Sequence, residues 1–124
     1  MHIQLNNYKA NIYEISNIKN SRETICFIPG AGMDHRTAQM IGFNELKEKF
    51  NILAIDLPSH GYTTGPQLNS IEDYSDFCCK VIKSLNIEAP IFIGHRMGGL
   101  VALDLSIKIK NSKTILMNTA YPLM

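Results

Sequence analysis

Near-continuous apolar runs recur along most of this chain: TICFIP (24–29), FNILAID (50–56), APIFIG (89–94) and KTILMN (113–118). Runs of this length with no polar face predict strands buried on both sides of a parallel sheet. The first segments have a different texture. HIQL and NIYEI alternate apolar with polar residues and are separated by NNYKA, the pattern of an antiparallel pair at a sheet edge.

Helical spacing fills the gaps between the runs. In SIEDYSDFCCKVIKSL, Ile71, Tyr74, Cys78, Val81 and Leu85 fall on one face; Ser70 suits the N-cap, and Glu72 and Asp73 suit the first turn, where the helix dipole favours anions. A second helix is predicted over 37–49, with Gly42 as its weak point. The run after Gly99 contains LDLSIKIK, which alternates like a strand. Asp104, Lys108 and Asn111 nevertheless form a polar stripe at i, i+4, i+7, opposite a wide apolar face of Gly98, Val101, Ala102, Leu105 and Ile109, so a mostly buried helix is predicted. Strands alternating with helices imply right-handed crossovers and an α/β fold, a mostly parallel sheet with helices on both faces.

Composition narrows the function classes. A chain of 124 residues makes one domain at most. Its 12 basic and 11 acidic residues give a formal charge of +1, no basis for binding nucleic acid or an anionic membrane. With 45% hydrophobic and 19% charged residues the chain is expected to fold, not to remain disordered. No apolar run approaches the roughly 20 residues that cross a bilayer, and the start MHIQLNNYKAN lacks the pattern of a signal peptide, so a cytoplasmic location is expected. Cys26, Cys78 and Cys79 have no metal-ligand spacing and read as buried thiols. No metal or cofactor is expected.

Ligands of open parallel sheets bind at the carboxyl ends of the strands, which directs attention to three loops. PGAGMDHR (29–36) places two glycines directly after a strand, suited either to presenting N–H groups to an anion or simply to a tight turn. DLPSHGYTTG (56–65) carries Asp56 and His60, candidates for catalysis whose commoner use is capping and turn formation. In IFIGHRMGGLVALDL (91–105), a strand, Gly94-x-x-x-Gly98 and a helix follow in order. Such a turn forces its central residue into strained dihedrals and lifts that side chain above the sheet, beside the positive end of the next helix. Neither G-x-x-x-x-G-K-[ST] nor G-x-G-x-x-G occurs, which weakens a nucleotide-binding reading.

FIPGAGMDH, ILAIDLPSHG, SIEDYSDF, IGHRMGGLVAL and LMNTAYPLM, in this order, closely resemble the α/β-hydrolase superfamily in its AB-hydrolase-1 branch, over essentially the whole chain. The resemblance implies a nucleophile elbow formed by Gly94, His95 and Gly98 around position 96, and oxyanion-hole amides at Ala31 and Met97. It makes His95 an elbow residue and not the general base, and it assigns His60 and Gly61 to a structural loop. Pro29-Gly30 stands where members of the family often carry His-Gly.

Position 96 departs from that pattern. The family's reaction needs a hydroxyl, thiol or carboxylate activated by a histidine. Arg96 carries a guanidinium that stays protonated and has no lone pair for attack. The resemblance puts the acid and the histidine beyond the sixth strand, and Asn118, where some relatives have an acid, is uncharged. It implies a partial domain, truncated after about the sixth strand and without the cap, descended from a serine hydrolase of small-molecule esters or amides and inactive as written. The alternatives are a pseudoenzyme that binds an anion, and the product of an interrupted gene. The apolar segment 113–118, left at a sheet edge, is expected to pair two copies into a homodimer or to make the chain poorly soluble.

Overall fold

A computed structural model describes residues 1–16 and 18–119, so the YPLM end of the last motif lies outside the described residues. Six strands form one sheet in the order β1-β2-β4-β3-β5-β6: β1 (His2–Leu5), β2 (Tyr8–Glu14), β3 (Thr24–Ile28), β4 (Asn51–Ile55), β5 (Ile91–His95) and β6 (Lys113–Met117). The two alternating segments pair antiparallel at one edge, and β2 runs antiparallel to β4. The four apolar runs are the parallel strands, with β3 and β4 in the middle and β6 outermost. Among the described residues no strand pairs with the outer side of β6, and its Ile115 is half exposed.

The period-2 geometry of the strands divides the core into two layers. Cys26, Ile28, Leu53, Ile55 and Phe92 face α2 (Ile71–Ser84) and α3 (Met97–Lys108), whose Tyr74, Phe77, Cys78, Val81, Val101, Ala102 and Leu105 cover them. Ile25, Phe27, Ile52, Ala54 and Ile93 face the opposite way, onto Ala38 and Phe43. Helices therefore lie on both faces, as the apolar runs imply. The three cysteines are free and buried, and burial alone pushes the Cys26 thiol up to about 12, which keeps it protonated and inert.

Two of the predicted helices form as read. Ser70 caps α2 by accepting from the Asp73 N–H at 3.0 Å. The polar stripe of α3 points at α2, where Lys108 Nζ meets Asp104 at 2.9 Å, Ser75 Oγ at 3.0 Å and Asp76, joining the two helices.

The helix predicted over 37–49 is a correction. It stops after six residues, as α1 (Arg36–Ile41), because Gly42 adopts φ 82° and ψ 63°. A left-handed residue ends the i to i−4 ladder, and glycine takes that conformation without a Cβ clash. The chain then makes a 3-10 turn, Phe43–Glu45, which drops Phe43 edge-on against Phe27. Burying Phe43 thus decided the local geometry over the helical propensity of NELKEK.

Candidate functional site

Between β5 and α3 a single residue turns the chain. Arg96 takes φ 55° and ψ −121°, a strained conformation for a non-glycine residue. The surrounding backbone over-determines it: the Arg96 N–H donates to the Met117 carbonyl at 2.9 Å, and its own carbonyl accepts from the Gly99 N–H at 2.9 Å and from Thr119 Oγ1 at 3.0 Å. The glycines on each side serve close approach. A Cβ on Gly94 would overlap the backbone of Gly98 and Gly99, and one on Gly98 would overlap the carbonyls of Ile28 and Pro29. The start of α3 is thereby pressed against the ends of β3 and β5, and the Arg96 side chain is lifted out into solvent.

The loop after β3 passes directly over this turn. A Cβ on Gly30 would come 3.1 Å from Arg96 Cβ, and the Met33 N–H closes a tight turn onto the Gly30 carbonyl at 3.1 Å. Residues 32–34 separate two cavities. Ala31 and Met97 share one of about 570 Å³ with Ser59, His60, Gly61 and Tyr74. His95 and Arg96 line the other, of about 560 Å³, with Thr37, Met40 and Ile41 of α1. The loop therefore has Ala31 and Met97 on one side and His95 and Arg96 on the other.

His95 is buried, and its Nδ1 is shut off from solvent with no hydrogen-bond partner among the described residues. Burial first, and then the Arg96 charge, push its pKa below the ordinary imidazole value, so the ring is neutral near pH 7. Across the loop, Arg36 grips Asp34 with Nε at 3.0 Å from Oδ1, and this pairing holds the Asp34 carboxyl down at about 2.

The most connected polar group in this region is Asp56, whose place at a strand end was legible in the sequence but whose partners were not. Asp56, fully buried at the end of β4, accepts from the His35 N–H at 2.8 Å, His35 Nδ1 at 2.9 Å, Asn11 Nδ2 at 2.8 Å and the Tyr62 N–H at 3.0 Å. Acceptance by the carboxylate sets Nδ1 as the protonated nitrogen of His35. The His35 ring stacks on Tyr13 with centroids 4.9 Å apart. Asp34, His35 and Asp56 have ligand atoms within 4.8 Å of one another, a grouping that suits a cation on distance alone. The bonds already made to Asp56 and the Arg36 grip on Asp34 make it a hydrogen-bond lock instead. The signal in the sequence was two polar loops, 29–36 and 56–65, following strands that turn out to be neighbours.

His60 turns away from Asp56, with Nδ1 2.9 Å from the Pro58 carbonyl. Asp56 and His60 thus take the structural alternative offered by the sequence. Ser59, beside it, has φ 65°, a left-handed conformation that costs an L-residue about 1–2 kcal/mol. Ser59→Gly is expected to stabilise the protein by about 0.5–1 kcal/mol, the relief of strain being partly offset by the entropy of an unfolded glycine. Urea denaturation measures this, and a lower midpoint for the variant would contradict it.

A profile of the alpha/beta hydrolase family matches residues 27–123. The chain belongs to the alpha/beta hydrolase family. It is 32% identical over 87 residues to the dihydrolipoyllysine-residue acetyltransferase component of the acetoin cleaving system of Cupriavidus necator, covering 68% of this chain and 23% of that protein. It is 25% identical over 103 residues to (E)-2-((N-methylformamido)methylene)succinate hydrolase of Acinetobacter baylyi, covering 82% and 37%. Among solved structures, a bacterial membrane phospholipase A superposes with a TM-score of 0.88 at 20% identity over 99% of this chain and 40% of its own. The enol-lactonase of Burkholderia xenovorans LB400 does so with 0.85 at 21% over 97% and 47%. These structural likenesses establish the fold. The chain spans under half the length of each of these relatives. Among the described residues no helix is long and apolar enough to cross a membrane.

Proposed function

We propose that this alpha/beta hydrolase chain presents a hydrolase elbow that does not act as a nucleophile. The observation that carries this reading is Arg96 at φ 55° and ψ −121° on the one-residue turn between β5 and α3. In the family this turn lifts a nucleophile above the sheet. Here it lifts a guanidinium, which keeps its proton at neutral pH and has no lone pair to form an acyl intermediate.

The relatives named as hydrolases support descent from enzymes acting on small esters or amides, with the backbone amides of Ala31 and Met97 as the remnant of an oxyanion hole. Both residues line one cavity at the head of α3, the arrangement such a hole needs. The outer side of β6 offers an edge for pairing with a second copy of the chain.

Hydrolysis of p-nitrophenyl butyrate tests the central point. The wild type and Arg96→Ala are expected to match the uncatalysed rate within error. Turnover well above that rate, lost in Arg96→Ala, would show that position 96 takes part in hydrolysis and would overturn the reading.

A second reading, that the elbow binds an anion, is favoured by the surroundings of Arg96. No ion pair neutralises it among the described residues, and it stands at the N-terminal end of α3.

A further inference from the structure

β6 carries the apolar pattern of the central strands, but none of its residues is buried, and Ile115 is 51% exposed. Its hydrogen bonds to the β5 side fix which main-chain groups are left over. The Lys113 N–H donates to the Pro90 carbonyl at 3.1 Å, and the Met117 carbonyl accepts from the Arg96 N–H at 2.9 Å. Lys113, Ile115 and Met117 therefore turn their main-chain groups towards β5. By alternation Thr114 and Leu116 turn theirs outwards, where among the described residues no strand meets them. Each offers one N–H and one C=O, a template for another strand.

α3 has an uncovered side at the same place. Asp104 and Lys108 face α2, while Val101, Ala102 and Leu105 face the core. At about 3.6 residues per turn, Leu103 and Ser106 then fall on the side turned away from α2. Both are half-buried, and Ile107 beside them is 73% exposed. Because α3 rests on β5 and β6 whereas α2 reaches β1, that side of α3 leans over the free edge of the sheet.

We propose that two copies of this chain join through β6, antiparallel about a two-fold axis at Ile115, with α3 packed on its counterpart across the junction. This rests on the reading of the β6 edge as a pairing site and fixes its geometry. In that register Thr114 lies opposite the partner's Leu116, so every outward main-chain group finds a partner, and the two Ile115 side chains meet on the axis. Moving the register by two residues opposes Leu116 to Ser112, outside the strand, or Thr114 to Asn118, whose φ is 52°. The antiparallel sense also sets Lys113 against the partner's Met117 and keeps Lys110 and Lys113 of the two copies at opposite ends, whereas parallel pairing would bring like charges together. An edge of five residues is small for a stable dimer, and the helices supply the rest. With strands about 4.8 Å apart, two α3 helices, each over β5 and β6, stand two spacings or roughly 10 Å apart, the distance of packed helices. The opposite edge, β1, is a poorer template: it has four residues, with His2 and Gln4 exposed.

Sedimentation equilibrium of the 124-residue chain is expected to give twice the 13.9 kDa of one copy, with no larger species. Ile115→Lys sets two ammonium groups side by side on the axis and should weaken the dimer at least about ten-fold. Since Ile115 is half exposed, the variant should keep the circular dichroism spectrum of the wild type. Leu103→Glu, on the helix, should weaken the dimer about ten-fold as well. Air oxidation should convert Ile115→Cys into a covalent dimer and leave Lys113→Cys unlinked, because only position 115 meets itself. The three native thiols are buried and do not compete.

A wild type that stays monomeric at roughly 100 μM would remove the pairing reading and this inference together. A dimer in which Ile115→Cys does not cross-link, or Lys113→Cys does, would leave the pairing reading and overturn the register. A dimer untouched by Leu103→Glu would overturn the helix contact. Assembly beyond the dimer, soluble or precipitated, would mean open-ended pairing of β6 with β1 and would overturn the two-fold arrangement.

Discussion

Asp56→Ala is expected to lower the melting temperature by roughly 10–20 °C, the consequence of about 3–5 kcal/mol lost when one partner of a buried charged network is removed. The side chain is fully buried and ties together three separate pieces of chain: Asn11 on β2, His35 after β3 and Tyr62 in the loop after β4. Truncation leaves the two backbone N–H groups, the His35 ring and the Asn11 amide without an acceptor where water cannot readily reach. Asp56→Asn should be damaging too. One of its two oxygens becomes an NH₂ group, and every neighbour of the carboxylate in this network is itself a donor. Circular dichroism melts measure both, and an Asp56→Ala protein melting within 3 °C of wild type would show that the network is not what holds the loops. Because residues 32–35 are anchored through His35, the variant should also disturb the partition between the two cavities.

Gly98→Ala carries the second largest expected effect, a loss of about 3 kcal/mol or more and roughly 10 °C in melting temperature. A methyl group there would come 2.5 Å from the Pro29 carbonyl oxygen and 2.7 Å from the Ile28 carbonyl carbon. Both neighbours are main chain, Ile28 being the last residue of the central strand β3, so neither can rotate aside as a side chain would. The helix would have to withdraw from the sheet, taking Arg96 with it. Alanine is otherwise the better helix former, so a sign opposite to intrinsic propensity isolates the packing term. A variant as stable as the wild type would mean that α3 can shift outward freely. That outcome would also undercut the strained geometry assigned to Arg96.

How far the sequence alone carries can be seen element by element. The parallel strands were legible as apolar runs, and β3, β4 and β5 are buried as such runs imply, whereas the outermost β6 carries the same pattern without a buried residue. For α3, the stripe of Asp104 and Lys108 outweighed an alternating run, and its helical period is the one that lets those two side chains meet at 2.9 Å. The elbow was legible because small residues at positions 94 and 98 mark a place where backbone must touch backbone. The end of α1 at Gly42 was only half legible. A glycine inside a helical pattern is ambiguous until the burial of Phe43 decides where the chain must turn.

The local chemistry of this protein was thus determined by the sequence: the strands, two helices, the one-residue turn, and an arginine that cannot attack at the head of it. Those properties follow from residue type and short spacing, which act within a few residues along the chain. The tertiary structure alone decided what those groups meet. Asn11, His35 and Tyr62 converge on Asp56 from across the sheet, and loop 32–34 divides Ala31 and Met97 from His95 and Arg96. Contacts of that kind depend on strand order, and a sheet running β2-β4-β3-β5 brings together loops that no spacing in the sequence connects.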